Sequence, residues 1–142
     1  MLRAIVVGIL LGFGLMWVLE LTIAYPVAIS RPAGWAESAG FMFLWDAVVV
    51  YGLGMFPILL ITMFLANKLW PENILALGVS TAVSLWLTAW VFHPLLMGST
   101  VLNPFVRGWY LYAADVDMAL ALVVFPWLLA RRNRRNAGAT GA

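Results

Sequence analysis

The sequence lacks cysteine and has little charge. None of its 142 residues is cysteine, and only 10% are Asp, Glu, Lys or Arg. Without cysteine there are no disulfides, no thiolate zinc sites and no cysteine-ligated iron–sulfur clusters. A soluble domain carries about 25% charged residues, so this chain has too few polar groups to cover a water-facing surface of its size.

Apolar residues make up 65% of the chain, and the mean hydropathy is +1.00. They form four long runs, at approximately 4–26, 41–66, 74–97 and 109–130. Each run is near the ~20 residues that cross ~30 Å of hydrocarbon as a helix. Isolated strands would leave backbone groups unpaired in lipid. The sequence therefore predicts an all-α integral membrane protein, a four-transmembrane-helix bundle forming one domain, with a basic tail at 131–142.

The distribution of Lys and Arg predicts the orientation of these runs. With four crossings, the N-terminus, the loop with Lys68 and the tail share one side of the membrane. That side also holds the tail arginines: Arg131, Arg132, Arg134 and Arg135. The other side holds only Arg31 and Arg107. Because cytoplasmic loops carry the excess of basic residues, we expect both termini in the cytoplasm of a bacterial inner membrane. The tail arginines are also candidate contacts for anionic lipid headgroups.

The second and fourth runs share a pattern. Asp46 is followed after nine residues by Phe-Pro-x-Leu-Leu, and so is Asp115, at an offset of 69 residues. This match favours a tandem duplication of a two-helix unit. The alternative is two ordinary helices that each carry a proline. A proline inside a helix removes a backbone hydrogen bond and clashes with the preceding turn, so kinks are predicted at Pro57 and Pro126.

Small residues at helical spacing predict where the helices pack. Gly8 and Gly12 form a GxxxG pattern in the first run, and Gly78 with Ala82 forms a similar pair in the third. Helices in lipid associate where small residues allow their backbones to approach closely. These positions are therefore expected at contacts within the chain or between subunits.

Four acidic residues lie within the predicted spans: Glu20, Asp46, Asp115 and Asp117. At 1.5 Å per residue, all four sit roughly 8–12 Å inside the outer ends of their helices. Charged groups at this depth are costly unless they are paired or solvated. The acids and His93 are thus a candidate ion or proton site, or a structural network with Arg31 and Arg107. Asp115 and Asp117 are about 200° apart on a helix, which predicts that they do not share one cavity wall.

The sequence offers no support for catalysis. It contains no Gly-rich phosphate loop, no Ser/His/Asp set and no carboxylate-histidine helix motif. The single histidine, His93, cannot supply two axial haem pairs. It could ligate one haem or one chlorophyll magnesium, or face a turn before Pro94. We therefore expect no enzyme activity, no cofactor, no metal site and no nucleic-acid binding.

Two functions remain consistent with the sequence. The first is a non-enzymatic accessory or scaffold subunit of a larger membrane complex, because the extramembrane part is minimal and small-residue faces suit lateral packing. The alternative is a small oligomeric transporter or channel with an acidic proton or cation site in the outer third of the membrane. The direction in which the acids point discriminates between them.

Overall fold

The computed structural model of the chain describes residues 1–24, 26, 39–96 and 111–139. Within them the fold is all-helical, with four helices and no strand. The helices are α1 (2–24), α2 (39–69), α3 (74–96) and α4 (111–139). Their order and approximate bounds follow the four apolar runs. The main difference is that α4 does not stop at residue 130 but continues through Ala139, so the basic tail is largely helical.

Within the described residues, three segments are long and apolar enough to cross a membrane: Leu2–Ile23, Asp46–Leu69 and Ile74–Leu96. Large apolar side chains are exposed along these helices, including Leu10 at 66% and Leu53 at 70%. Monomeric soluble proteins rarely expose contiguous apolar patches of more than a few hundred Å². The exposed apolar surface therefore indicates contact with a lipid bilayer.

Each helix contains a π-helical segment that ends two residues before a proline. The segments are Glu20–Ala24, Asp46–Met55, Thr88–Phe92 and Leu120–Val124. The prolines are Pro26, Pro57, Pro94 and Pro126. A proline ring clashes with the carbonyl four residues earlier and offers it no N–H. Widening the preceding turn to the π-helical pattern accommodates both effects. The sequence predicted kinks at Pro57 and Pro126. A bend of the helix axis at these two residues stays a prediction.

Helix α3 contacts each of the other three helices and forms the centre of the bundle. Its side chains Ile74, Leu77, Thr81 and Thr88 are almost fully buried. The hydroxyl of Thr81 donates to the Leu77 carbonyl at 2.8 Å, and the hydroxyl of Thr88 donates to the Ser84 carbonyl at 2.7 Å. Because each hydroxyl is satisfied by its own helix, both threonines can lie in an apolar core.

Glycines bring α1 and α3 into backbone contact. A Cβ at Gly8 would lie 2.6 Å from the Leu77 carbonyl oxygen, and one at Gly12 would lie 2.8 Å from the Ser84 Cβ. Both distances are too short for a side chain. At this close approach the Ser84 hydroxyl donates across the contact to the Ile9 carbonyl at 2.7 Å. The small residues therefore permit an interhelical hydrogen bond as well as close packing.

Gly78 of α3 lies toward a different part of the bundle from α1. A Cβ at Gly78 would lie 2.8 Å from Cγ of Pro126 on α4. Pro126 is almost fully buried, and Ala82 is 9% exposed in the core. Gly8 therefore faces α3, whereas Gly78 faces α4.

Candidate functional site: an acidic cavity between the helices

A cavity of about 190 Å³ lies among the helices, and all four contribute to its lining. Three of the membrane-depth acids border it: Glu20 from α1, and Asp115 and Asp117 from α4. The rest of the lining is mostly apolar or aromatic. The fold therefore brings together carboxylates from the first and last helices, which are distant in sequence.

The buried face of α1 carries Glu20 to the cavity. Met16 and Leu19, at 7% and 2% exposure, lie on the core side of α1 and also line the cavity. Residues three and four apart share a helix face, so Glu20 continues the face of Met16. Glu20 itself is half-buried and begins the π-helical segment of α1.

The expectation that Asp115 and Asp117 do not share a cavity wall is wrong. Both border the same cavity, together with Ala114 and Met118. Ala114 and Met118 are one turn apart and form the middle of the facing stripe. Asp115 and Asp117 flank this stripe, each about 80° from its centre at 3.6 residues per turn. Their side chains reach the cavity from opposite sides of α4, which the angular argument overlooked.

Asp46 is not part of the cavity lining. It is half-buried at the start of the α2 π-helical segment. Asp46 and Asp115 each have an interaction partner, so neither is free. Arg31, Arg107 and the side chain of His93 lie outside the described residues. Their predicted place in a polar network with the acids therefore stays a prediction.

Three aromatic residues complete the polar part of the cavity: Tyr51 of α2, and Trp86 and Trp90 of α3. The sequence reasoning missed them as site residues. The signal was the four-residue spacing of Trp86 and Trp90, which places both indoles on one face of α3. Aromatic faces attract cations, and the attraction is stronger where water is excluded. Carboxylates and aromatic rings together make the cavity chemically suited to a positively charged group.

Among the described residues there is no group of three or more His, Asp or Glu side chains that could hold a metal ion together.

No family model, curated protein or solved structure matches this chain.

Proposed function

We propose that α4 is a fourth membrane crossing and that both termini lie in the cytoplasm. At 1.5 Å per residue, residues 111–130 span about 30 Å, the thickness of the hydrocarbon layer. Helix α4 also packs against both α2 and α3. A helix that packs within a bundle of spanning helices is most simply accommodated as another span. The excess of basic residues on the side of Arg3, Lys68 and the tail supports the orientation.

We infer that the protein binds a proton or a small cation in the acidic cavity and acts as a small transporter or channel. The observation that carries this proposal is that Glu20, Asp115 and Asp117 border one cavity lined by all four helices. Acids that face inward into a cavity favour a transport site, whereas acids capped by Arg31 and Arg107 favour a structural role. The arrangement therefore favours the transport function, which the sequence alone ranked second.

A dimer or larger homo-oligomer is part of this proposal. Four helices around a cavity of about 190 Å³ leave little room for a continuous pathway through one copy. Copies that pack side by side would provide the remaining wall. Transporter sites are commonly formed at the interface between repeated units.

The accessory or scaffold role is the second candidate, and one observation favours it. A groove of about 870 Å³ runs along α1 and α3, with an almost wholly apolar lining that includes Ile9, Phe13 and Val83. In the bilayer, a partner helix or lipid chains would fill it. Purification from native membranes in mild detergent tests this role. Co-purification of a stoichiometric partner supports it, and recovery of this chain alone counts against it.

The cavity proposal is tested by binding and by flux. Tetramethylammonium is a compact probe, and its binding to purified protein in nanodiscs would be followed through tryptophan fluorescence. Proton flux would be measured in liposomes with a trapped pH indicator. Glu20→Gln and Asp117→Asn should each weaken tetramethylammonium binding or slow proton flux at least tenfold.

Asp46→Asn is the matched control, because it removes an acid at similar depth that does not line the cavity. It should change binding and flux by less than twofold. Wild-type protein that neither binds tetramethylammonium nor conducts protons would overturn the proposal. Equal losses of binding and flux in Asp46→Asn and Asp117→Asn would also overturn it, because an acid outside the cavity would then be as important as one that lines it.

A further inference from the structure

The C-terminal part of α4 is hydrogen-bonded to the end of α2 and to the turn between α2 and α3. Its final α-helical segment, Phe125–Ala139, runs well past the apolar part of the helix. The side-chain amide of Asn133 donates to the Asn67 side-chain oxygen at 2.8 Å and to the Pro71 carbonyl at 3.1 Å. These two bonds, here called the Asn133 clamp, fix the rotation of the helix end relative to the bundle.

Three of the four tail arginines lie on the side of α4 away from this clamp. All four are exposed, but Arg134 lines a small pocket with Asn133 and with Pro71 of the turn. At 3.6 residues per turn, Arg131 and Arg135 lie about 20° and Arg132 about 80° from the direction opposite Asn133. These three guanidinium groups form a fan on the outer side of α4, here called the arginine fan.

The arginine fan continues the lipid-facing side of α4. Trp127 and Leu128 lie on that side, at 47% and 49% exposure. The Arg131 guanidinium carbon is 5.6 Å from the centre of the Trp127 ring, within the range of a cation–π contact. The arginines therefore project sideways from the molecule, over the surface that the bilayer covers.

The axial length of the fan fits the headgroup layer. From Arg131 to Arg135 the helix rises about 6 Å. The polar layer on each side of a bilayer is roughly 5–7 Å thick, from the difference between its total and hydrocarbon thickness. The fan begins directly after Ala130, where the apolar part of α4 ends.

We propose that the arginine fan binds the phosphates of anionic phospholipids in the cytoplasmic leaflet, and that the Asn133 clamp aims it at them. Guanidinium groups bind phosphate oxygens in bidentate pairs. A topology signal requires only that basic residues lie on the cytoplasmic side, and their side chains need no fixed direction around the helix. The Asn133 clamp fixes the direction in which the arginine side chains leave α4. This inference rests on the proposed topology and is independent of the acidic cavity.

The test compares two lipids with the same acyl chains, phosphatidylglycerol and phosphatidylcholine, added to the detergent-purified full chain. Bound lipids are counted by native mass spectrometry. Wild-type protein should bind phosphatidylglycerol at least tenfold more tightly. The triple variant Arg131→Gln, Arg132→Gln, Arg135→Gln should lose that preference, because it removes every guanidinium group of the arginine fan.

Lys68→Gln is the charge control, because Lys68 lies on the same side over the Phe64 ring and outside the fan. It should change the preference by less than twofold. Equal binding of the two lipids by wild-type protein would overturn the proposal. A preference for phosphatidylglycerol that survives in the triple variant would also overturn it.

The clamp is tested with every arginine in place. Asn133→Ala should lower phosphatidylglycerol affinity threefold or more and leave phosphatidylcholine binding unchanged. Asn67→Ala removes one of the two clamp bonds from the other side and gives a second measurement if Asn133→Ala does not fold. Unchanged phosphatidylglycerol affinity in a folded clamp variant would overturn the aiming role.

Two further arms separate this proposal from others. Inorganic phosphate at matched ionic strength should displace no more phosphatidylglycerol than chloride does. Stronger displacement by phosphate would indicate a site for the free ion and overturn the lipid assignment.

Asp117→Asn should retain the preference for phosphatidylglycerol, because Asp117 lies in the acidic cavity and not in the arginine fan. The cavity proposal and the lipid proposal can therefore fail independently of each other.

Discussion

The Ser84 hydroxyl of α3 donates a hydrogen bond to the Ile9 carbonyl of α1, at 2.7 Å. This carbonyl lies between Gly8 and Gly12, two positions of α1 where an added Cβ would collide with α3. Most other hydroxyl groups of the described helices bond to carbonyls of their own helix, as Thr62 does with Ile58. The glycines allow α1 and α3 to approach closely, and the Ser84 hydrogen bond then fixes how the two helices are oriented at this contact.

The glycine contact predicts unequal effects of two nearby substitutions. Gly12→Ala places a Cβ 2.8 Å from the Ser84 Cβ, so α1 and α3 must separate. Overpacking of this kind costs about 1–3 kcal/mol. Gly14→Ala is the control, because its Cβ meets nothing within 4 Å. Unfolding in detergent mixtures should show Gly12→Ala destabilised and Gly14→Ala unchanged or slightly stabilised. Equal stability of the two variants would contradict the contact.

The interhelical hydrogen bond predicts a modest cost for its removal. Ser84→Ala should lower the free energy of unfolding by about 0.6 kcal/mol, a typical value for such bonds in membrane proteins. Thr62→Val is the control, because its hydroxyl bonds only to its own helix at 2.8 Å. The same unfolding measurement checks both. A larger loss for Thr62→Val than for Ser84→Ala would contradict the assignment.

The two repeated prolines are expected to differ in importance. Pro126 is almost fully buried and contacts Gly78, whereas Pro57 is half-buried. Pro126→Ala leaves a void in the core, and we expect a loss of about 1–3 kcal/mol. Pro57→Ala should cost less, because less of its ring is packed. Thermal unfolding of the two variants in the same detergent checks the order, and the reverse order would count against the packing described.

The proposed topology predicts the outcome of reporter fusions. Fusions after Lys68 and after Arg135 should both report the cytoplasm, and a fusion after Arg31 should report the opposite side. The physical reason is the concentration of Lys and Arg on one side of the four runs. A C-terminus on the side of Arg31 would remove α4 as a fourth crossing.

The duplication of a two-helix unit remains a prediction. All four π-helical segments end two residues before a proline, which agrees with a repeated unit. Other observations disagree with a strict repeat. Asp115 borders the cavity while Asp46 does not, and Gly78 faces α4 while Gly8 faces α3. A duplicated pair of helices would have to have diverged in these contacts.

The sequence by itself determined the helices. Apolar runs and the lack of charge leave the helix as the structure that satisfies the backbone in lipid. The existence and approximate bounds of the helices could therefore be predicted from the sequence. The prolines likewise mark where each helix widens, because a proline changes backbone hydrogen bonding locally. These effects need no knowledge of neighbouring helices.

Only the tertiary structure decided which residues meet. Glu20, Asp115 and Asp117 border one cavity and Asp46 does not, although all four lie at similar predicted depth. Depth follows from position along a helix, whereas the direction of a side chain toward a partner depends on how the helices rotate and pack. Lipid is as apolar as the core, so the apolar pattern does not fix that rotation. Close contacts such as Ser84 with Ile9 and Asn133 with Asn67 fix it instead, and they join residues 75 and 66 positions apart.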